Sequence, residues 1–308
     1  VIDGHADTLV QAHAEKRSFY QRSQRGALDL PRLYQAGVDL QVLAICAGRR
    51  QAPYQWAGKL LDSWERESLA SREVIWIREA RDFEEWQESA KVGVLLALEG
   101  AEPLEGDLRR LEEFYQRGIR VISLTWNWAN PFAFGTSCQS DHGLTLLGRD
   151  LVYRAQKLGL LLDLSHLGPK SFKDLISIAS RPVIVSHANA FALCAHRRNL
   201  RLWQAKAVAE PGGTIGVTFY PPFIGKGVTT SSDLLLHVRY FLDNLGEDIP
   251  ALGSDYDGIE ITPMDLQSVL DLENMVQAME KSGFTQRLIE KVMGENLYNV
   301  LIQYFTGY

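Results

Sequence analysis

The sequence predicts an α/β protein of the (β/α)8 TIM-barrel class, and three observations predict it. Eight short apolar runs recur along the 308 residues, bounded by Gly, Pro or polar residues and separated by stretches with helical spacing. Several of the runs, such as VGVLLAL and PVIV, are continuously apolar rather than alternating, as suits parallel strands covered on both faces. Five of the runs end in His, Asp or Glu, at the face where a barrel carries its chemistry.

The expected strands span 1–5, 38–45, 92–98, 119–124, 160–164, 182–185, 214–219 and 249–252. Between them, 107–117 reads as a helix with Leu108, Leu111, Phe114 and Tyr115 on one apolar face and Gly118 as its stop. The next crossover repeats the pattern with Leu144, Leu147, Leu151, Ala155 and Leu158 before Gly159. The connection over 47–91 is longer than a simple crossover and carries Trp56, Trp64, Trp76 and Trp86 among many charges. It is expected to form two rim helices whose indoles serve as packing anchors. No internal repeat, low-complexity segment or linker interrupts the chain, so the expectation is a single catalytic domain over 1–308 with a helical rim insertion near 47–91.

Composition excludes several function classes. With 46% hydrophobic and 23% charged residues the chain has apolar mass for a full core. Its 32 Lys and Arg against 38 Asp and Glu argue against a nucleic-acid footprint or a basic membrane-binding patch. Cys46, Cys138 and Cys194 lack CxxC spacing, which fits neither a zinc ribbon nor a disulfide framework and suits a reducing, cytoplasmic setting. No apolar run reaches the roughly 18–20 residues of a membrane span, and the first residues lack signal-peptide character. The chain starts without Met, so a trimmed leader stays compatible with it.

The strand ends carry the chemistry. Strand one ends in His5-Ala-Asp7, strand three in Glu99, strand five in Asp163-Leu-Ser-His166, strand six in Ser186-His187 and strand eight in Ser254-Asp255-Tyr-Asp257. A lone HxD is a common surface pair, but recurrence at one face converts these ends into a shared metal site. The candidate ligands are His5, Asp7, Glu99, His166 and His187, too many for one zinc with three protein ligands and a water. They suit two adjacent ions with a hydroxide between them and Glu99 spanning both. Asp3, Asp163 and Asp257 are candidates to orient the ligand imidazoles by accepting their free N–H, Asp163 foremost. His13, His142, His196 and His237 fall in expected loops or helices and read as solvated or structural, with His196 notable for its closeness to Arg198.

The segments IDGHADTL, LALEG, LTWNWAN, LLLDLSH, VIVSHANA, CAHRRNL, GSDYDG and VMGENLYNVL occur in the order and at the spacing found in the membrane dipeptidase (renal dipeptidase) family of metallopeptidases, which the chain resembles over nearly its whole length. The resemblance implies a (β/α)8 barrel with two Zn2+ per chain that hydrolyses dipeptides. It places His5, Asp7 and Glu99 on one zinc, and Glu99, His166 and His187 on the second. Asp255 matches the acidic residue of proton transfer, and Arg198 the arginine that receives the substrate's terminal carboxylate, a task suited to its planar fork. Glu99 and Asp255 are thus the expected catalytic pair.

Two departures stand out. Ala6 replaces the usual Asn between the first two ligands, and Trp126 stands where renal-type members place a substrate-contacting histidine. An indole cannot accept a hydrogen bond, so Trp126 opens the specificity of that pocket, leaving room for a D-residue at the substrate's C-terminal position, with Asn127 or Asn130 as polar replacements. Tyr220, in Tyr-Pro-Pro-Phe, is a further candidate for substrate binding, although the same segment reads equally as a rigid turn closing a strand. The expected partner is a small dipeptide, without nucleic acid or a membrane segment, and a homodimer is compatible. The rival readings are another binuclear amidohydrolase, acting on N-acyl amino acids, lactones or phosphotriesters, and a barrel that has lost catalysis. The former typically carries H-x-H and a carboxylated lysine, whereas this chain has H-x-D and no lysine at the position of Glu99.

Overall fold

The computed structural model describes residues 1–306. Its strands are β1 Ile2–Ala6, β2 Leu40–Cys46, β3 Val74–Trp76, β4 Val92–Glu99, β5 Ile119–Ser123, β6 Leu161–Asp163, β7 Ile184–Val185, β8 Thr214–Val217 and β9 Pro250–Leu252. All pair in parallel, in the spatial order β2-β1-β9-β8-β7-β6-β5-β4-β3. β2 also pairs with β4, from Leu40 against Gly93 to Cys46 against Glu99, and this pairing closes eight strands into the expected (β/α)8 barrel.

The ninth strand, β3, corrects the expectation of two helices over 47–91. That connection does form helices Pro53–Ser71 and Ala80–Gln87, but Val74–Trp76 between them pairs with β4. The cause is an unfilled edge. β5 pairs only with the carboxyl half of β4, Leu96 to Leu98, whereas Val92 to Val94 receive Val74 to Trp76. Three residues are too few to show a strand's periodicity, so the β-branched pair Val74-Ile75 carried too little signal to be read as one. The four indoles do anchor this segment. Trp64 and Trp86 are buried, Trp86 Nε1 donates to the Asp39 carbonyl at 2.9 Å, and Trp56 Nε1 donates to the Cys46 carbonyl at 3.0 Å.

Elsewhere the element ends shift by a few residues. The two crossover helices run Arg109–Gln116 and Leu146–Leu158. The latter is capped by the Thr145 hydroxyl, which accepts from Gly148 N–H at 2.9 Å, and it ends on Gly159 at φ 83°, a left-handed turn that suits a residue without Cβ.

Both faces of the strands are apolar, as their sequences require. One buried cluster takes Val42, Leu95, Ala97, Val121, Leu161, Ile184 and Ala251 from strands around the ring, which identifies it as the barrel interior. Leu297, Val300 and Leu301 of helix Asn296–Phe305 belong to the same cluster. On β4 the alternate residues Val94, Leu96 and Leu98 join the larger cluster under the helices. Glu99 therefore continues the interior face of Leu95 and Ala97 at the strand's carboxyl end.

Backbones approach closely where β7, β8 and β9 end. A Cβ on Gly216 or Gly253 would overlap the Ser186 carbonyl oxygen, so glycine is required at both positions for the strands to approach. Gly253→Ala is expected to destabilise the fold by about 3 kcal/mol through overpacking of backbone against backbone. The midpoint and slope of denaturant unfolding measure this, and an unchanged midpoint would show that the wall can give.

Candidate metal centre and active site

The carboxyl ends of β1, β4, β6, β7 and β9 bring His5, Asp7, Glu99, His166, His187 and Asp255 together, although they lie up to 250 positions apart in sequence (255 minus 5). Three overlapping sets each offer ligand atoms within 4.8 Å of one another: His5, Asp7 and Glu99; Glu99, His166 and His187; His5, His187 and Asp255. Glu99 belongs to the first two. Its Oε1 lies 2.8 Å from His166 Nε2 and 3.6 Å from both His5 Nε2 and His187 Nε2. His5 Nε2 also faces Asp7 at 3.7 Å and Asp255 at 3.9 Å.

The hydrogen-bond network fixes the ring tautomers. Asp163 Oδ2 accepts the single hydroxyl proton of Ser186 at 2.6 Å. Ser186 Oγ must then accept from His187 Nδ1–H at 2.8 Å, which leaves His187 Nε2 with a bare lone pair. Asn127 Oδ1 does the same for His166, accepting from its Nδ1–H at 2.9 Å. The two Nε2 atoms stand 2.8 Å apart, each directing a lone pair toward the other. Neither ring supplies a proton to bridge them.

The electrostatics fit divalent cations. His5 Nε2, Asp7 Oδ1 and Glu99 Oε2 are buried without a hydrogen-bond partner among the described residues, an arrangement that is costly unless a cation satisfies them. Burial, followed by the charge of Asp7, pushes the Glu99 carboxyl up to about 8. Burial likewise pushes Asp255 up to about 7, and it holds His166 and His187 well below the usual imidazole value. At His5 burial acts downward but is outweighed by Glu99, Asp7 and Asp255, which raise it to about 10. The raised values of Glu99, Asp255 and His5 are the signs of several carboxylates confined with too little positive charge, and bound cations would reverse these three shifts. Neutral imidazoles and oxygen donors in one buried cluster make the set that zinc accepts.

The remaining candidates lie around this cluster. Arg198 is buried with no ion pair among the described residues; its Nη2 donates to the His187 carbonyl at 3.3 Å, and burial draws its pKa down to about 10 against the pull of Asp255 and Glu99. Trp126 lies with its ring centroid 6.4 Å from that of His166, and its backbone N–H donates to Glu102. Asn127, expected near the substrate, has its amide oxygen on the His166 ring. Asn130 bonds the Leu124 carbonyl and Glu102 at the base of the loop. Tyr220 precedes the short helix Pro221–Ile224 and meets Phe223 edge-on at 4.8 Å, so the Tyr-Pro-Pro-Phe segment is a compact turn at the strand end.

Of the three aspartates expected to orient imidazoles, Asp163 does so, and indirectly. Asp3 instead accepts from Ser254 N–H at 2.8 Å, Ser254 Oγ at 2.6 Å and Gln41 Nε2 at 3.1 Å, pinning β1 to the segment after β9. Asp257 accepts from Thr8 Oγ1, Arg17 and Ala27 N–H, anchoring the loop over 16–29. The sequence did not reveal the orienting roles of Ser186 and Asn127. The Ser-His pair at a strand end was the available signal for Ser186; for Asn127 there was none. Of the histidines outside the cluster, His237 is buried, taking Ala190 N–H at 3.0 Å and facing the Ile224 carbonyl at 2.9 Å. His196 stacks on Phe223 at 4.4 Å, His13 meets Trp56 edge-on and His142 meets Phe134.

A parallel barrel with a buried His, Asp and Glu cluster at its carboxyl mouth defines a metal-dependent hydrolase. The sequence model of the membrane dipeptidase family (peptidase family M19) matches residues 1–305, and the chain belongs to that family of metallo-dipeptidases. An uncharacterized protein from the pqqA 5' region of Klebsiella pneumoniae is 34% identical over 72% of this chain and 86% of its own length. An uncharacterized dipeptidase of Schizosaccharomyces pombe is 31% identical over 70% of this chain, which spans 54% of that protein. Among solved structures, a metallopeptidase of Rhodobacter sphaeroides bound to a phosphinate mimic of the dipeptide L-Ala-D-Ala superposes with a TM-score of 0.90 at 27% identity, over 98% of each chain.

The tautomer assignment is directly testable. In the wild-type chain the imidazole nitrogen resonances of His187 are expected to report a single form protonated at Nδ1. In Ser186→Ala, with no hydroxyl to accept that proton, they are expected to report a mixture. A variant that keeps the single form would show that Ser186 does not set it.

Proposed function

We propose that this chain is a binuclear zinc dipeptidase that cleaves substrates with a free C-terminal carboxylate and accepts a D-residue at that position. The observation that carries the reading is one buried cluster that holds both the two bare Nε2 lone pairs of His166 and His187 and the unpartnered atoms of His5, Asp7 and Glu99. His5, Asp7 and Glu99 would hold one ion, and Glu99, His166 and His187 the other, with Glu99 common to both. When bound, such ions act as Lewis acids that polarise the scissile carbonyl and lower the pKa of water to about 7. The D-residue component is supported by the L-Ala-D-Ala mimic in the R. sphaeroides relative and by Trp126, which removes a hydrogen-bond acceptor from the site.

The remaining work falls to the chain's own groups. Asp255 lies at the edge of the cluster nearest β1, where its carboxylate can take a proton from the attacking water and deliver it to the leaving amine. A Cβ at Gly258 would overlap Asp7 Oδ2 and Asp255 Oδ1, so the bare backbone there leaves both carboxylates room. Asp255 and His166 hold left-handed conformations at φ 65° and 70°, a strained placement that aims both side chains inward. Arg198, buried and unpaired, supplies a planar fork for the substrate's terminal carboxylate, which fixes the peptide bond over the cluster.

Glu99→Gln is expected to lower both bound zinc and dipeptide hydrolysis by more than the roughly 10–100-fold that loss of an outer orienting partner costs. Elemental analysis with turnover assays measures both, and retention of two zinc equivalents with full turnover would overturn the shared-ligand assignment. Arg198→Ala is expected to lower the ratio of kcat/KM for free over amidated dipeptides by about 10–100-fold, the worth of a charge-assisted pair. An unchanged ratio would place the carboxylate elsewhere.

A further inference from the structure

Beside the metal cluster, at the carboxyl ends of β2, β4 and β5, lies a pocket of about 720 Å³ of which the mechanism above uses only the Trp126 wall. Arg49, Arg50, Glu102, Trp126, Trp128 and Phe134 line it. Trp126 is the wall it shares with the site, since the same indole stands 6.4 Å from the His166 ring. Arg198, Tyr220 and Asp255 follow β7, β8 and β9 and so occupy the opposite arc of the mouth. On the dipeptidase reading, on which this inference rests, a substrate with its carboxylate at Arg198 and its peptide bond over the cluster extends its N-terminal residue toward the arc of β2, β4 and β5.

The charge of the pocket sets what that residue carries. Neither Arg49 nor Arg50 makes an ion pair among the described residues. Each guanidinium is instead held by an indole, Arg49 at 5.0 Å over Trp128 and Arg50 at 4.0 Å over Trp56. Stacking occupies the faces of the guanidinium and leaves its in-plane N–H edge available; Arg50 spends one donor on the Ala47 carbonyl at 3.0 Å. Glu102 is the only acid in the lining, and its Oε1 is engaged by Trp126 N–H and Asn130 Nδ2, both at 3.1 Å. The lining is net positive on a chain whose formal charge is -6.

We infer that this pocket is the side-chain subsite for the substrate's N-terminal residue and that Arg49 and Arg50 select an acidic side chain there. The aromatic faces of Trp126 and Trp128 cover the methylenes of a Glu or Asp side chain, and the two guanidiniums meet its carboxylate. A neutral amide of the same shape can use the aromatic walls but forgoes the charge.

The test compares L-Glu-D-Ala with L-Gln-D-Ala, and L-Glu-L-Ala with L-Gln-L-Ala, on the zinc-loaded full chain, with L-Ala-D-Ala and L-Ala-L-Ala establishing that dipeptides are cleaved at all. The wild type is expected to favour Glu over Gln about 10- to 100-fold in kcat/KM. In Arg49→Ala/Arg50→Ala that ratio falls toward one, and in Arg49→Glu/Arg50→Glu the enzyme favours L-Lys over L-Glu. Both arginines are exposed, so the far-ultraviolet circular dichroism of these variants should match the wild type. Cleavage of the alanyl dipeptides with no Glu preference, or a preference that survives both double variants, overturns the acidic subsite and leaves the dipeptidase intact. Failure to cleave any dipeptide overturns the dipeptidase reading and this inference with it.

Discussion

Two imidazole nitrogens, both without protons and 2.8 Å apart, are the constraint on which the rest of the site depends. Each Nδ1 proton is already committed, to Ser186 on His187 and to Asn127 on His166. A cation placed between them satisfies both lone pairs at once. Glu99 lies against the same point and Asp7 and Asp255 lie close by, so the barrel concentrates negative and lone-pair density at one buried place. That concentration costs folding free energy in the empty protein and becomes favourable when cations bind.

Buried carboxylates also hold the frame. Asp3 joins β1 to Ser254 after β9, and Asp163 joins β6 to Ser186 after β7. The two arrangements are alike, an aspartate in a strand gripping the N–H and hydroxyl of a serine at the end of the neighbouring strand. In each, the residue after the serine, Asp255 or His187, enters the cluster. The scaffold thereby orders strand ends that the strands themselves, as short as two residues at β7, could not place alone. Gly216 and Gly253 let the backbone close on Ser186 to complete this part of the wall.

The mouth has two arcs, each with its own arginines. One arc carries Arg198 and Asp255, suited to a terminal carboxylate and a moving proton. The other carries Arg49 and Arg50 on tryptophan faces, with Trp126 between the pocket and the metal cluster. The renal-type histidine is replaced by a residue that serves as a wall.

The barrel and its metal-ligand positions were legible in the amino-acid order, because His5, Glu99 and His187 each stand at the end of a short apolar run and local order is enough to read them. Glu99 after VGVLLAL and His187 after PVIV were legible for this reason, as were the indole anchors of the rim. What depends on contacts distant in sequence was not legible there. β3 exists because β5 leaves half of β4 unpaired, which three residues could not announce. Asp163 reaches His187 through Ser186 rather than its nearer neighbour His166, and Asp3 and Asp257 serve backbone and loop instead of imidazoles. Asn127 turned from an expected substrate contact to a ring acceptor because the β5 loop folds against β6. Strand order fixes which residues share a mouth, but the direction of a hydrogen bond among them is set only when the ring closes.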